Sequence, residues 1–178
     1  MKSSSKFTNF KFSNIEIHSN QIFFQRKYCV AFVNIKPCQP GHVLLCPTRI
    51  VSKYHELTDL EVMEIWAAAK QISNNLKKFY KTEYVSFTIQ NGENSGKSVD
   101  HCHIHIVPYS KTFINNQKDF LPKLCEKFDK EMFTNQSENE YKTINLSEYI
   151  LESDKIPKRN LDEMANEASS YVKNFTFL

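Results

Sequence analysis

Two periods alternate along the 178 residues of this chain. Residues 21–26 and 29–34 are short runs rich in β-branched and aromatic side chains, and read as two strands joined by a tight connection. Lys36-Pro37-Cys38-Gln39-Pro40-Gly41 interrupts them as a turn. Residues 42–46 form a continuous apolar run, a buried strand stopped by Pro47. At Thr58 the period changes. Thr58 with Glu61 three residues on is a capping box, and Leu60, Met63, Trp66, Ala67, Ile72 and Leu76 then recur at helical spacing to about Tyr80. Residues 84–90 return to strand character, and 91–97 hold two of the three glycines and read as a loop. The next run, from His101, alternates with period two and stops at Pro108.

Beyond residue 111 the pattern weakens. Residues 120–133 are compatible with a helix. Residues 134–140 are polar and lack the spacing that would hold them in a core. Residues 159–175 read as a terminal helix with Leu161, Met164, Ala168, Tyr171 and Val172 on one face. Short strands around one long helix give an α+β fold: an antiparallel sheet of about five strands, a long central helix and a C-terminal helix. The expected organisation is a disordered N-terminus over 1–11, a catalytic domain over 12–110, an extended variable insertion over 111–156, and 157–178 as the terminal helix of the same domain. The insertion follows the last strand directly, so it is expected to act as a flap hinged near Ser110 that closes over the site.

Composition narrows the setting. Net charge is +3, too mild for a nucleic-acid polymer and compatible with a small anionic ligand. No stretch approaches the ~20 apolar residues of a membrane span. Cys29, Cys38, Cys46, Cys102 and Cys125 are an odd set without paired spacing, which points to reduced thiols and a cytoplasmic, or also nuclear, protein.

The chemistry concentrates in His101-Cys102-His103-Ile104-His105-Ile106. On a strand, residues i, i+2 and i+4 share a face, so the three imidazoles form a row while Cys102, Ile104 and Ile106 face an apolar layer. Three polar rings side by side need an external reason: a metal or an anionic substrate. A metal is the weaker fit. The row spans roughly 13 Å at the strand rise, zinc bonds are ~2.0–2.1 Å long, and no CxxC or HExxH accompanies it. An imidazole with an ordinary pKa of ~6.5 is a competent nucleophile toward phosphorus, and its neighbours can hydrogen-bond phosphoryl oxygens. Gly92-Glu93-Asn94-Ser95-Gly96-Lys97-Ser98 is one residue short of a P-loop and precedes a strand where a helix would be needed, so it is not one.

His-x-His-x-His followed by apolar residues resembles the histidine triad family. Asn34-Ile35-Lys36-Pro37, Pro40-Gly41-His42-Val43-Leu44, Tyr54-His55-Glu56-Leu57, Gln90-Asn91-Gly92 and Glu163-Met164-Ala165 stand in the order of its fragile-histidine-triad branch, which contains dinucleoside triphosphate hydrolases. The resemblance covers roughly residues 12–110 and 159–175. It implies His103 as the nucleophile that takes the nucleotidyl group, with His105 and Gln90 at the phosphates and His101 supporting the row. It implies a phosphate site at Gly96, Lys97, Ser98 and Val99, and Asn34 at the ribose. Phe12, Ile17, Phe32 and Leu44 would enclose the base, and His42 would stand behind the triad. The implied substrate is a dinucleoside polyphosphate or adenine nucleotide, with no resident metal, magnesium or manganese arriving with the substrate, and a homodimer as the working unit. A nucleoside phosphoramidase of the same fold and a slow nucleotide-sensing partner protein are the alternatives. Two departures stand out: Ile15 occupies a position that is usually histidine in the hydrolase branch, and the 111–156 segment is longer than usual.

Overall fold

The computed structural model describes residues 6–92, 95, 97–109 and 157–177. Strands β3 (Ile22–Gln25), β4 (Cys29–Val33), β5 (Val43–Pro47), β6 (Tyr84–Ile89) and β7 (Ile104–Tyr109) form one antiparallel sheet in the order β3-β4-β5-β7-β6. A two-stranded hairpin, β1 (Phe10–Phe12) and β2 (Ile15–Ile17), stands apart from it. The long helix α1 (Asp59–Tyr80) and the terminal helix α2 (Leu161–Asn174) complete the α+β architecture. The expected flap and the residue 120–133 helix lie outside the described residues.

Strands β3, β4 and β5 each serve two layers. Phe23, Ala31, Val33, Val43, Leu45, Ile104 and Ile106 join Ile65, Ala68, Ala69, Ile72, Leu76, Met164, Ala168 and Tyr171 in the larger core under the helices. Ile22, Val30, Phe32, Leu44 and Cys46, the alternate residues, join Phe10, Phe12 and Ile17 of the hairpin in a second cluster on the other side. The period-two pattern thus sorts side chains between two apolar layers, which is why β4 and β5 are buried at every position.

Both helices begin as their sequences dictate. The Thr58 hydroxyl accepts the Glu61 N–H, and the Glu61 carboxylate accepts the Thr58 N–H at 2.8 Å. Arg49 Nη2 closes on the same carboxylate at 2.7 Å. In α2 the Asn160 side chain and Glu163 reciprocate in the same way.

Four expectations need correction. The hairpin strand β1 begins inside the stretch expected to be disordered. Phe10 is buried there, because its ring packs on Phe32 and His101 at centroid distances of 6.2 and 5.8 Å. The face of α1 is only partly the one expected: Ile72 and Leu76 meet the sheet as read, joined by Ile65, Ala68 and Ala69, whereas Leu60, Met63, Trp66 and Ala67 are exposed. In α2, Leu161 and Val172 are exposed while Met164, Ala168 and Tyr171 are buried. Finally, the last strand begins at Ile104 rather than His101 and runs through Pro108 to Tyr109. Pairing with β5 ends at Ile106, so Pro108 pairs on one side only, with Val85 of β6. Proline is tolerated at such an edge position.

The turn before β5 closes on Gly41, whose φ of +87° favours glycine. A Cβ built there would stand 2.5 Å from Tyr80 Cε2 and 2.6 Å from Pro108 Cγ.

Candidate active site

The second apolar cluster is the floor of the site. His101, His103 and His105 lie on its side of the sheet, beside Phe12, Phe32 and Leu44. The Phe12 ring stands edge-on to His103 at 5.1 Å between centroids, and 5.3 Å from His101. This face is not open to solvent as a free strand face would be: His101 is 0% and His103 5% exposed. The cover is the β1–β2 hairpin, which carries Phe12 and Ile17, two of the four residues the resemblance assigns to the base.

Backbone partners assign the imidazole tautomers. His101 Nδ1 accepts the Ser13 N–H at 3.2 Å, so its proton lies on Nε2 and is donated to the Pro47 carbonyl at 3.0 Å. Ser13 reaches it from the hairpin turn with φ +56°. His103 Nδ1 lies 2.6 Å from the His101 carbonyl. A carbonyl only accepts, so His103 is protonated on Nδ1 and keeps a lone pair on Nε2. Behind the row, the Cys38 N–H donates to His42 Nδ1 at 3.2 Å. His42 Nε2–H then donates to His105 Nδ1 at 2.9 Å, which leaves the His105 proton on Nε2. The result is an ordered line: one ring offering an acceptor nitrogen, its neighbour offering a donor. Their centroids are 4.8 Å apart.

All four rings are held neutral. Burial pushes His105 down to about 3, assisted by His103 and His42, and His42 down to about 4, assisted by the Arg159 charge and His103. Burial also lowers His101 and His103 from the ordinary imidazole value. A neutral imidazole with its far nitrogen tied to a carbonyl is the form that attacks an electrophile.

Asn34 is buried one residue past β4. Its Oδ1 accepts the Lys36 N–H at 3.1 Å, and its Nδ2 lies 3.1 Å from His42 Nε2. Gln90 follows β6 and donates to the Ser95 carbonyl at 3.1 Å. Ser98 is exposed, and Val99 packs against the second cluster. Gly96 lies outside the described residues. Lys97 turns its ammonium away to Ser52 and Asp100, with Nζ 2.9 Å from the Ser52 carbonyl and 2.7 Å from Asp100. This strap, together with Tyr54 N–H on Asn91 Oδ1 at 2.8 Å and Cys102 N–H on the Val51 carbonyl at 2.7 Å, binds the loop before the histidines to residues 51–54.

The HIT domain family model matches residues 16–112. This chain belongs to the HIT domain family. It is 39% identical over 123 residues to the bis(5'-adenosyl)-triphosphatase of Dictyostelium discoideum, covering 65% of this chain and 83% of that one. It is 31% identical over 174 residues to the bifunctional bis(5'-adenosyl)-triphosphatase/adenylylsulfatase of Arabidopsis thaliana, covering 98% and 88%. The Plasmodium falciparum diadenosine triphosphate hydrolase shares the fold, with a TM-score of 0.65 and 24% identity over 97% of this chain and 86% of that one.

Several members of this HIT domain's site escaped sequence reasoning. Ser13, Cys38 and Pro47 contribute backbone groups, and a backbone donor carries no residue-type signal. Ser52, Asp100 and Arg159 do carry one, as hydroxyl or charged groups. Only the fold brings them to the site.

Proposed function

We propose that this protein hydrolyses dinucleoside polyphosphates, foremost a triphosphate such as diadenosine triphosphate, through a covalent nucleotidyl-histidine. The observation that carries the reading is the tautomer of His103: neutral, with Nδ1–H on the His101 carbonyl and Nε2 unprotonated. The names of the two relatives above support the substrate class.

In the first step His103 Nε2 attacks the phosphorus of the nucleotidyl group. The P–N bond forms as the P–O bond to the bridging oxygen breaks, and the nucleoside diphosphate leaves as an anion hydrogen-bonded by His105 Nε2–H. The adduct ring is cationic, with its Nδ1 proton still on the His101 carbonyl. In the second step water attacks, the P–N bond breaks, a nucleoside monophosphate leaves, the water's proton passes to solvent and His103 is again neutral. Gln90 and residues 96–99 bind the phosphates, Asn34 the ribose, and Phe12, Ile17, Phe32 and Leu44 the base. Magnesium or manganese enters as the substrate's own counter-ion. Among the described residues, no group of three or more His, Cys, Asp or Glu is gathered to hold a metal.

The working unit of this reading is a homodimer. Leu60, Met63 and Trp66 on the outer face of α1 and Phe87 on edge strand β6 are exposed, and the Trp66 and Phe87 rings lie 6.1 Å apart. An apolar patch continuous with an open strand edge matches a second copy of itself, edge to edge. Among the described residues Cys29, Cys38, Cys46 and Cys102 form no disulfide with one another, which supports a cytoplasmic or nuclear setting. No described helix is long and apolar enough to cross a membrane.

Turnover of diadenosine tri- and tetraphosphate and of an adenosine phosphoramidate, by wild type and His103→Ala, tests the proposal. Wild type should favour the triphosphate and show a trapped nucleotidyl mass on the peptide carrying His103. His103→Ala should bind and not turn over. An adduct on another residue, or a preference for the phosphoramidate, would refute the reading.

A further inference from the structure

The residue-scale geometry around Asn34 leads outside the site. Asn34 lies beyond the last β4–β5 pair, Val33 with Val43, so the sheet ladder no longer fixes its backbone. Its own N–H reaches the His42 carbonyl only at 3.3 Å. Its position in space comes from the other end of the chain. Arg159 Nε donates to the Asn34 carbonyl at 3.1 Å, Arg159 Nη2 donates to the same oxygen, and the Arg159 N–H donates to the Ile35 carbonyl at 2.9 Å. One residue holds two successive carbonyls.

The guanidinium is itself held. Arg159 Nη1 pairs with Glu167, whose other carboxylate oxygen accepts the Tyr171 hydroxyl. Tyr171 is fully buried and shares a hydrogen bond with Tyr80 at 2.7 Å. The Arg159 and Glu167 side chains are 19% and 14% exposed. A partly desolvated pair of this kind fixes a fork far better than a surface pair does.

We propose that Arg159 is a positioning residue: its fork on the Asn34 carbonyl sets the turn that aims the Asn34 carboxamide at the nucleotide's sugar, and so makes the terminal helix part of the substrate site. The proposal deepens the hydrolase reading and rests on it for the identity of the sugar. The geometry of the turn stands by itself. Asn34 Oδ1 is committed to Lys36 N–H, and Nδ2 rests beside the His42 ring, 3.1 Å from its Nε2. Wherever the Asn34 backbone moves, that nitrogen moves with it.

A bland role is also available: Arg159 could simply fasten α2 to the sheet. The two roles differ in what they do to the substrate's ribose. Kinetics of Arg159→Gln and Arg159→Lys on diadenosine triphosphate and on its 2',3'-dideoxy analogue separate them. For the ribose substrate, Arg159→Gln should raise KM about tenfold, the worth of one hydrogen bond, with kcat within about twofold. For the dideoxy substrate the KM change should be under about twofold, and in an Asn34→Ala background Arg159→Gln should add nothing. Arg159→Lys should recover part of the loss, since an ammonium reaches one carbonyl without the fork. Equal losses on both substrates, or full additivity with Asn34→Ala, would overturn the proposal and leave a fastening role. A readout free of any substrate is the Asn34 carboxamide NMR signal. It should be a single sharp pair in wild type and broadened or shifted in Arg159→Gln, and in Glu167→Gln should the first variant fail to fold. An unmoved signal would overturn the proposal whatever the enzyme hydrolyses, whereas a wild type that hydrolyses no dinucleotide would overturn only the hydrolase reading.

Discussion

His42 and His105 sit neutral in a wall of apolar groups, and that has a pH consequence. In the unfolded chain both titrate near the ordinary imidazole value, ~6.5. Folded, they are pushed down to about 4 and about 3. Between those limits the unfolded chain binds protons the folded one refuses, so stability is full above ~6.5 and is lost as pH falls toward the folded values. Thermal melts from pH 7 to pH 4 should show Tm falling steadily, and His42→Gln should flatten the slope by removing one refused proton. A wild-type slope no steeper than the variant's would contradict the assignment. Ile15 gives a second residue-scale prediction. It is 44% exposed at the hairpin, three residues from the buried Phe12 ring. Ile15→His adds a donor worth ~0.5–1.5 kcal/mol. KM for diadenosine triphosphate should fall severalfold with kcat nearly unchanged, and an unchanged KM would show that the side chain does not face the sugar. The alternation of the three histidines was legible in the sequence because strand geometry is local. Their burial was not, since it depends on a hairpin whose aromatic residues arrive from ninety positions earlier in the chain, roughly, and local patterns carry no such reach.

At the scale of elements, α1 shows why periodicity can find a helix and misplace its face. Two apolar stripes wind along it. Leu60, Met63 and Trp66 form one; Ile65, Ala68, Ala69, Ile72 and Leu76 form the other. Large side chains dominate the first and alanines dilute the second, so size points outward while the sheet selects the flatter stripe, which lets the helix approach closely. Equilibrium denaturation separates them. Ile72→Ala should cost ~2–5 kcal/mol, as buried truncations do, and Leu60→Ala, measured in a monomeric Met63→Glu, Trp66→Glu background, should stay within about 0.5 kcal/mol, as exposed ones do. Comparable losses would mean that the stripes had been misassigned. Helix limits, by contrast, were readable to within two residues, at the start of α1 because the Thr58–Glu61 capping box is written within four residues.

Across the whole molecule, the outward stripe becomes the argument for a dimer. Trp66 Nε1–H donates to the Tyr54 hydroxyl at 3.1 Å, and Tyr54 N–H holds Asn91 in the loop before the histidines. The proposed contact surface is thereby wired to the loop that precedes the histidines. Light scattering should report a dimer for wild type and a monomer for Met63→Glu combined with Trp66→Glu, with Tm and secondary structure otherwise retained. A wild-type monomer would remove the dimer from the reading. The five-strand core was legible as a fold class since the strands and helix are each locally encoded, whereas the coupling of Arg159 to Asn34 spans 125 positions and has no local signature.

The absence of a side chain at residue 41 gives this architecture a point of zero clearance. The end of α1, the last strand through Pro108 and the turn that delivers His42 converge there within the radius of one methyl group. Tyr80 cannot step aside, because its hydroxyl is tied through Tyr171 and Glu167 to the same arginine that holds Asn34. A wedge of a single carbon would therefore push on two things at once: the turn that delivers His42, and, through Tyr80 and Tyr171, the arginine that holds Asn34. Tolerance at this glycine is bounded by mechanics as well as by its dihedral angles.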